Sequence, residues 1–571
     1  MPSGSEAAAF DAAAREDGAS GPVLMESAGR GAADVAMAWL REAGSEGLVR
    51  VLAGAGNNGG DAVVVARTLH ARGVEVELFV DPRRPRPDPL LHGHDVPTWP
   101  MEEEGLGAGW VPEGASRRPV ALVVDGLLGT GLSSAPRGPV ERWIRALAAW
   151  AREAEVPVLA LDLPSGVVAD TGQVPGAVVP AHLTVAFGAP KLGTLLHPGR
   201  ARAGRLVVVE MGFPPWSGND ASAALVTGAW ARARLPRRDL DTHKNAVGRL
   251  LLVAGGEEMG GAAVLAARAA LRAGVGMLRV LCAPRHRELF HHHVPEAILP
   301  DPGDPDQVRT ALEASDAVAA GPGMGLDPGA SPARLLKILL REANRHPTVG
   351  GSDARSACPF LLDADALTLL GRGELPPLPG RDAGRHLLTP HPGELERILT
   401  GDPVPGHAPA AARAAAVRWQ AVVLLKGAPS VVATPAGDPL WISASGGSAF
   451  ARGGMGDVLT GVAGALLARG MAAREAAAMA LHLTGRAADH ALEAGCASDA
   501  LLPSDLVDGL PRVLAEVGGE EGASGIDGAE DPGGGTQTGI PPSVTAGATS
   551  PRVRPRLAHL PAVILDLAAP R

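Results

Sequence analysis

Apolar residues in this chain gather into short, near-continuous runs of Val, Leu and Ala instead of alternating with polar ones. In the first half the runs are LVRVLAGAG (48–56), VEVELFV (74–80), PVALVVDGLLG (119–129), PVLALDLPSG (157–166), LTVAFG (183–188) and RLVVVEMG (205–212). A strand that is apolar at every position has both faces covered, so the pattern predicts a parallel sheet with helices on either side. The Pro-, Arg- and Gly-rich span 81–118 interrupts the series and reads as a mobile surface excursion.

A second series follows a linker-like stretch, FPPWSGNDAS (213–222). Its runs are GRLLLVAGG (248–256), GMLRVLCAP (276–284), DAVAAGPGMG (316–325), PFLLDADAL (359–367), RHLLTPHPGE (385–394) and AVVLLKGAPSVVA (421–433). A glycine turn and a long Ala-rich helical region, 451 to about 495, close it. From about 516 the chain is polar and of low complexity, and such a segment cannot bury a core. The last apolar run, LPAVILDLAAP, could dock elsewhere but suggests no role. The expected organisation is two fused α/β domains, 1–218 and 219–515, with a disordered tail, 516–571.

Composition narrows the function. A net charge of −10 gives no encouragement for nucleic acid or an anionic membrane. No secretory signal or apolar span of membrane length is visible, so a cytoplasmic location is expected. Cys282, Cys358 and Cys496 fit neither a disulfide framework nor a zinc pattern. Only four lysines remain among 52 basic residues: Lys191, Lys244, Lys337 and Lys426. Where arginine has replaced lysine almost everywhere, a surviving lysine marks a place that needs a compact ammonium, although Lys337 lies on an ordinary helical pattern. Asparagine is as scarce: five in 571 residues, two of them adjacent at Asn57 and Asn58.

Ligands of open parallel sheets collect at the carboxyl ends of the strands. In the first half those ends read AGAGNNGGD, DGLLGTGLSSAPRGP, DLPSG and FGAPKLG. They supply glycine-rich backbone with Asn57, Asn58, Asp61, Asp125, Asp162, Ser165 and Lys191, an oxygen-rich set suited to hard cations. With PVLMESAGR (22–30), these motifs occur in the order in which they appear in the NAD(P)H-hydrate epimerase family, the YjeF N-terminal domain, which residues 5–215 closely resemble.

That resemblance implies a Rossmann-like fold and interconversion of the R and S epimers of hydrated NADH or NADPH. It implies a substrate site made of Asn57, Asn58, Gly59, Gly60 and Asp61, of Gly129, Thr130, Gly131, Leu132, Ser133, Ser134 and Ala135, and of Asp162. A potassium ion would be held by Asn58, Asp125 and Ser165. Asparagine suits such an ion because it offers a carbonyl oxygen without adding charge. Asp162 is expected to stabilise a cationic ring intermediate and shuttle a proton, with Lys191 beside it. Ala62 stands where the family carries glycine, which is harmless unless the backbone there needs positive φ.

In the second half the sharpest signal is SAFARGGMGDVLTGVAGALL (448–467), a glycine-rich turn that opens a helix. Such a turn offers an anion backbone N–H groups and the positive end of the helix dipole. It is accompanied by VVLLKGAPS, TPHPGE, AGPGMG, DTHKN and GGEEMGGAAVLAARAA. Together, across 225–515, these resemble the ADP/ATP-dependent NAD(P)H-hydrate dehydratases, whose fold is ribokinase-like. The resemblance implies substrate contacts from Ala262, Gly323, His391 and Asp457. It implies nucleotide contacts from Lys426, Gly427, Ala428, Pro429, Ser430 and Gly456, with Mg²⁺ accompanying ADP or ATP.

Asp457 would be the base in that chemistry. His391 is open between a substrate contact and a turn histidine beside two prolines. Asn245 and Met455 depart from the family pattern. The three histidines 291–293 read as a solvated patch, since consecutive side chains cannot face one ion. Asp363 and Asp365 could orient magnesium or cap a helix. The expected protein is a bifunctional repair enzyme for hydrated nicotinamide cofactors, acting on small molecules as a homo-oligomer. Its rivals are a ribokinase-type kinase for a vitamin precursor and a non-catalytic binding scaffold.

Overall fold

The computed structural model describes residues 1–45, 47–101, 118–212, 221–237, 247–327, 331–345, 358–379, 383–400, 407–443, 445–519 and 563–567. The apolar runs of the first half form one sheet. Its spatial order is Val563–Leu567, Arg205–Val209, Leu183–Phe187, Val158–Leu161, Val120–Gly126, Leu48–Ala53, Val76–Val80 and Thr98–Pro100. All neighbours are parallel except Val563–Leu567, which runs antiparallel to Arg205–Val209. Helices Gly21–Ala43 and Asn57–Ala71 cover one face and Gly138–Glu153 the other, giving the three layers that the near-continuous apolar strands require.

The second sheet has the order Met277–Leu281, Arg249–Val253, Ala317–Ala320, Phe360–Leu362, Leu387–Leu388, Val422–Leu425, Val431–Ala433, Leu440–Ser443 and Ala223–Val226. Its first six strands are parallel, Val431–Ala433 runs antiparallel to both its neighbours, and Leu440–Ser443 and Ala223–Val226 close the sheet as a parallel pair. The Ala-rich region divides into Met455–Ala468 and Ala473–Glu493, parted at Gly470. Small residues let these helices lie close. A side chain at Gly461 would stand 2.1 Å from the Ala266 carbonyl of helix Gly260–Arg272, and one at Gly464 would stand 3.1 Å from Ala319 of the sheet.

Three expectations need correction. The span after residue 81 is not wholly irregular, because Thr98–Pro100 adds an edge strand and Pro89–Leu91 forms a 3₁₀ turn. Arg84 and Arg67 hold the segment down: Arg84 bonds Asp88 at 2.7 Å, and Arg67 bonds the Leu90 carbonyl at 2.7 Å. The polar tail does not begin at 516, since helix Pro503–Gly518 runs past it, and within the tail Val563–Leu567 is a strand of the first sheet. The excursion's residues 102–117, linker residues 213–220, and the DTHKN motif with Lys244 and Asn245 lie outside the described residues.

Candidate active sites

In the first domain the helix Asn57–Ala71 starts immediately after strand Leu48–Ala53, and its first turn crosses the sheet top. Gly59 permits this, because a Cβ there would lie 1.7 Å from the Gly54 carbonyl oxygen. Ala62 is fully buried inside the helix with ordinary backbone, and Gly126 opposite it leaves room for the methyl, so this departure is harmless.

The two asparagines part ways. Asn57 is exposed at the helix start, whereas Asn58 is buried. Asn58 Nδ2 donates to the carbonyls of Leu128 (2.7 Å) and Leu161 (3.2 Å), leaving its Oδ1 buried with no hydrogen-bond partner. Asp125, wholly buried, accepts from the Ser165 hydroxyl (2.7 Å), the Ser165 amide (2.9 Å) and the Leu127 amide (3.2 Å). Burial pushes its carboxyl up, opposed by these bonds, and no cationic side chain among the described residues pairs with it. An orphaned carbonyl oxygen and an uncompensated carboxylate at neighbouring strand ends fit a cation.

Beside them lies an acidic cluster. Asp162 takes left-handed backbone, φ 65°, which costs a non-glycine residue energy and is stored where the surroundings enforce it. Its carboxylate pairs with the Lys191 ammonium, which also donates to the Phe187 carbonyl at 3.0 Å. Lys191, one of the four lysines, is buried. Asp61 faces this pair, held well above the usual carboxylate range by burial and by the charges of Asp162 and Asp11. The loop 129–135 runs along the rim, with Gly131, Ser133 and Ser134 exposed.

The second site has the same placement. Strands Ala317–Ala320, Phe360–Leu362, Leu387–Leu388 and Val422–Leu425 end in Gly321–Gly325, Asp363, His391 and Lys426 respectively. Helix Met455–Ala468 opens at Gly454, whose φ of 90° sets the turn. A Cβ on Gly456 would sit 3.4 Å from Lys426 Nζ and 3.8 Å from Asp363 Oδ2, so its absence keeps the space before the helix open. Met455 is buried in the core and disturbs nothing in the loop.

Asp363 neither caps its helix nor stands free. Its two oxygens bind Lys426 Nζ at 2.7 Å and the Thr460 hydroxyl at 2.6 Å, tying a strand end to the glycine-turn helix. Asp365 instead accepts the Gly325 amide at 2.8 Å. Burial pulls the Lys426 ammonium down, yet Asp363 and Glu394 hold it above its ordinary value. Asp457 is pushed up to about 7, first by burial, then by Asp363 and Asp365 against the pull of Lys426. A carboxyl poised near neutrality beside a helix N-terminus and an ammonium can take a proton next to a bound anion.

His391 caps helix Pro392–Ile398, its Nδ1 accepting the amides of Gly393 (3.1 Å) and Glu394 (3.4 Å). Ala262 and Gly323 are neighbours, a Cβ on Gly323 standing 3.1 Å from that of Ala262. Gly427 and Ala428 are exposed, Pro429 is partly so, and Ser430 Oγ accepts the Gly427 amide at 3.2 Å. Residues 291–293 are exposed, as a solvated patch would be. Asp11, Glu394, Thr460 and the clamp role of Asp363 escaped the sequence reading. Only the pairing of Asp363 with Lys426, both at strand ends, had a signal there.

Two α/β domains in one chain, each with polar and charged side chains gathered at its strand ends, define a fused protein with two candidate sites. Residues 21–193 match the family described as YjeF-related protein N-terminus, and residues 250–512 match the NAD(P)H-hydrate dehydratase family. A bifunctional NAD(P)H-hydrate repair enzyme of Salinibacter ruber is 36% identical over 538 residues, covering 87% of this chain and 92% of its own. One of Gloeobacter violaceus is 40% identical, with coverages of 78% and 84%. The chain belongs to the bifunctional NAD(P)H-hydrate repair enzyme family. A solved ADP/ATP-dependent NAD(P)H-hydrate dehydratase of Bacillus subtilis, co-crystallized with ATP/Mg²⁺, is 30% identical. It covers 52% of this chain and 99% of its own with a TM-score of 0.42. Among the described residues no helix is long and apolar enough to cross a membrane.

Proposed function

We propose that the first domain interconverts the R and S epimers of hydrated NADH and NADPH, and that the second dehydrates the S epimer at the expense of ADP or ATP. The observation that carries this is the presence of both sites in one chain, matched across 87% of its length by a relative named as a bifunctional NAD(P)H-hydrate repair enzyme.

In the first site, Asn57 to Asp61, the loop 129–135 and Asp162 hold the substrate. The hydroxyl leaves the ring carbon as water once protonated, and the ring nitrogen's lone pair makes the intermediate a cation. The Asp162 carboxylate, fixed by Lys191, faces that charge. Water then returns to either face. Asn58 Oδ1, Asp125 and Ser165 would hold a potassium ion, which supplies a fixed positive charge for the substrate's phosphates.

In the second site Ala262, Gly323 and His391 seat the hydrated ring. Asp457 takes the proton of the ring hydroxyl, whose oxygen attacks the terminal phosphoryl group. Lys426 to Ser430 and the amide of Gly456 position the nucleotide. The phosphate ester leaves as phosphate, pushed out by the ring nitrogen, and loss of the adjacent ring proton restores the dihydropyridine. The substrate's oxygen thus ends in the phosphate, and AMP or ADP is the second product. Among the described residues no cluster of His, Cys, Asp and Glu could hold a metal alone. A Mg²⁺ ion accompanying the nucleotide would be held mainly by the nucleotide's own phosphates and would supply positive charge to neutralise the phosphoryl oxygens.

Incubation of the protein with the S hydrate and ADP or ATP tests this. Dihydronicotinamide absorbance is expected to return only with nucleotide, one phosphate appearing per ring restored. Recovery without nucleotide would overturn the mechanism, and a phosphorylated product without recovery would make the second domain a small-molecule kinase.

A further inference from the structure

The N-terminal helix Gly4–Glu16 precedes both family matches, which begin at residues 21 and 250. It nevertheless touches both domains. At its start the Pro2 carbonyl accepts the Leu192 amide at 3.3 Å, one residue beyond Lys191. The Gly4 amide donates to the Asp170 carboxylate at 2.5 Å, and a Cβ on Gly4 would lie 3.1 Å from the Thr130 carbonyl in the rim loop of the first site. Near its end, Ala14 is fully buried in the cluster that contains Leu161 and Phe187. The Phe187 backbone binds both members of the Asp162–Lys191 pair.

Asp11 lies between these two anchorages, half buried. It stands one turn before the buried Ala14, on the same side of the helix, and its carboxyl feels the charges of Lys191, Arg15 and Asp162 while acting in turn on Asp61. Lys191 is already paired with Asp162, which leaves Arg15 and Arg84 as the remaining cations near the other two carboxyls. Burial lifts the Asp11 carboxyl, against the pull of Lys191 and Arg15, and Asp11 in turn raises Asp61.

The helix is also held from the other side. The Glu6 carboxylate accepts the Ser222 hydroxyl at 2.6 Å and the Ser222 amide at 3.1 Å, and it accepts the Ser3 amide of its own capping box at 2.7 Å. Ser222 leads directly into Ala223–Val226, the edge strand of the second sheet.

We propose that this helix is a working wall of the first site, in which Asp11 is a positioning residue for the Asp162–Lys191 pair, and that the second domain seats the helix through Ser222. This rests on reading the first domain as an epimerase. The fusion then does more than place two activities on one chain, because one domain completes the other's site. A carboxylate on a separate helix changes the field at Lys191 with any shift of that helix, whereas Asp162 is fixed to the sheet.

The test uses the full chain without nucleotide, separating R and S hydrates chromatographically as they interconvert. Asp11→Asn is expected to lower epimerisation kcat by at least about tenfold and to move its pH profile, with S-hydrate dehydration unchanged; Asp11→Glu should restore most of the rate. Ser222→Ala is expected to slow epimerisation severalfold although it lies in the other domain, again sparing dehydration. Unchanged epimerisation in either variant overturns the proposal, as does a slower rate with an unmoved pH profile and a lowered melting temperature in Asp11→Asn. If the unaltered protein fails to interconvert the epimers, the epimerase reading itself falls and the proposal with it.

Discussion

Asp457→Asn is expected to lower dehydration of the S hydrate by about 10³-fold, within the range for loss of a general base, and to leave epimerisation at its full rate. The amide preserves the shape of the side chain but cannot accept the hydroxyl proton. In the unaltered protein, dehydration should rise with pH through about 7 as Asp457 ionises, and this limb should vanish from the residual activity of the variant. Stability should move the other way. The folded state holds the Asp457 proton more tightly than the unfolded chain, so ionisation weakens the fold progressively as pH rises from the ordinary carboxylate range to about 7. Removing that charge, which stands beside Asp363 and Asp365, is therefore expected to raise the melting temperature above pH 7. An active site that stores such repulsion trades stability for chemistry. Thermal melts at pH 5 and pH 8 read the sign directly, and a lower melting temperature for the variant at pH 8 would contradict it.

The second large effect is expected at Asn58→Asp: epimerisation down by about 100-fold or more, S-hydrate dehydration untouched. The Asn58 amide nitrogen serves the Leu128 and Leu161 carbonyls, and a carboxylate in its place would face both with lone pairs. Breaking such buried contacts with an uncompensated charge costs about 3–5 kcal/mol. It would also set a second anion near the fully buried Asp125. Part of the loss should be relieved by raised potassium, measured as epimerisation rate against KCl at constant ionic strength. Equal loss of both activities would show instead that Asn58 only holds the fold together.

Much of this architecture is legible along the chain because parallel strands carry their own signature. Runs such as VALVV (120–124) are apolar throughout, and most stop near a glycine or an acidic residue where the sheet ends. The rarity of lysine and asparagine pointed to Lys191, Lys426 and Asn58, and all three bear on a polar site. What stayed hidden depends on contacts between distant segments. Asp363 reads equally as a magnesium-orienting carboxylate or a helix cap, and only the fold brings it to Lys426 and Thr460. The span after residue 81 reads as irregular from its prolines, and Arg67 and Arg84 hold it by bonds that no local pattern reveals. Val563–Leu567 is apolar enough for a strand, but the polar stretch before it hides its partner. Asp11 looks like one more surface charge on an Ala-rich helix, and the charges it meets, at Asp61, Asp162 and Lys191, lie 50, 151 and 180 residues further along the chain.

The central claim is that the two sites act in sequence on both epimers. It is tested most directly by giving the full chain an equal mixture of R and S hydrates with excess ADP or ATP, beside an enzyme-free control for spontaneous epimerisation. The account predicts that dihydronicotinamide absorbance returns for all of the material in one continuous course. Recovery that stops at the S share, with R left unchanged, would contradict it.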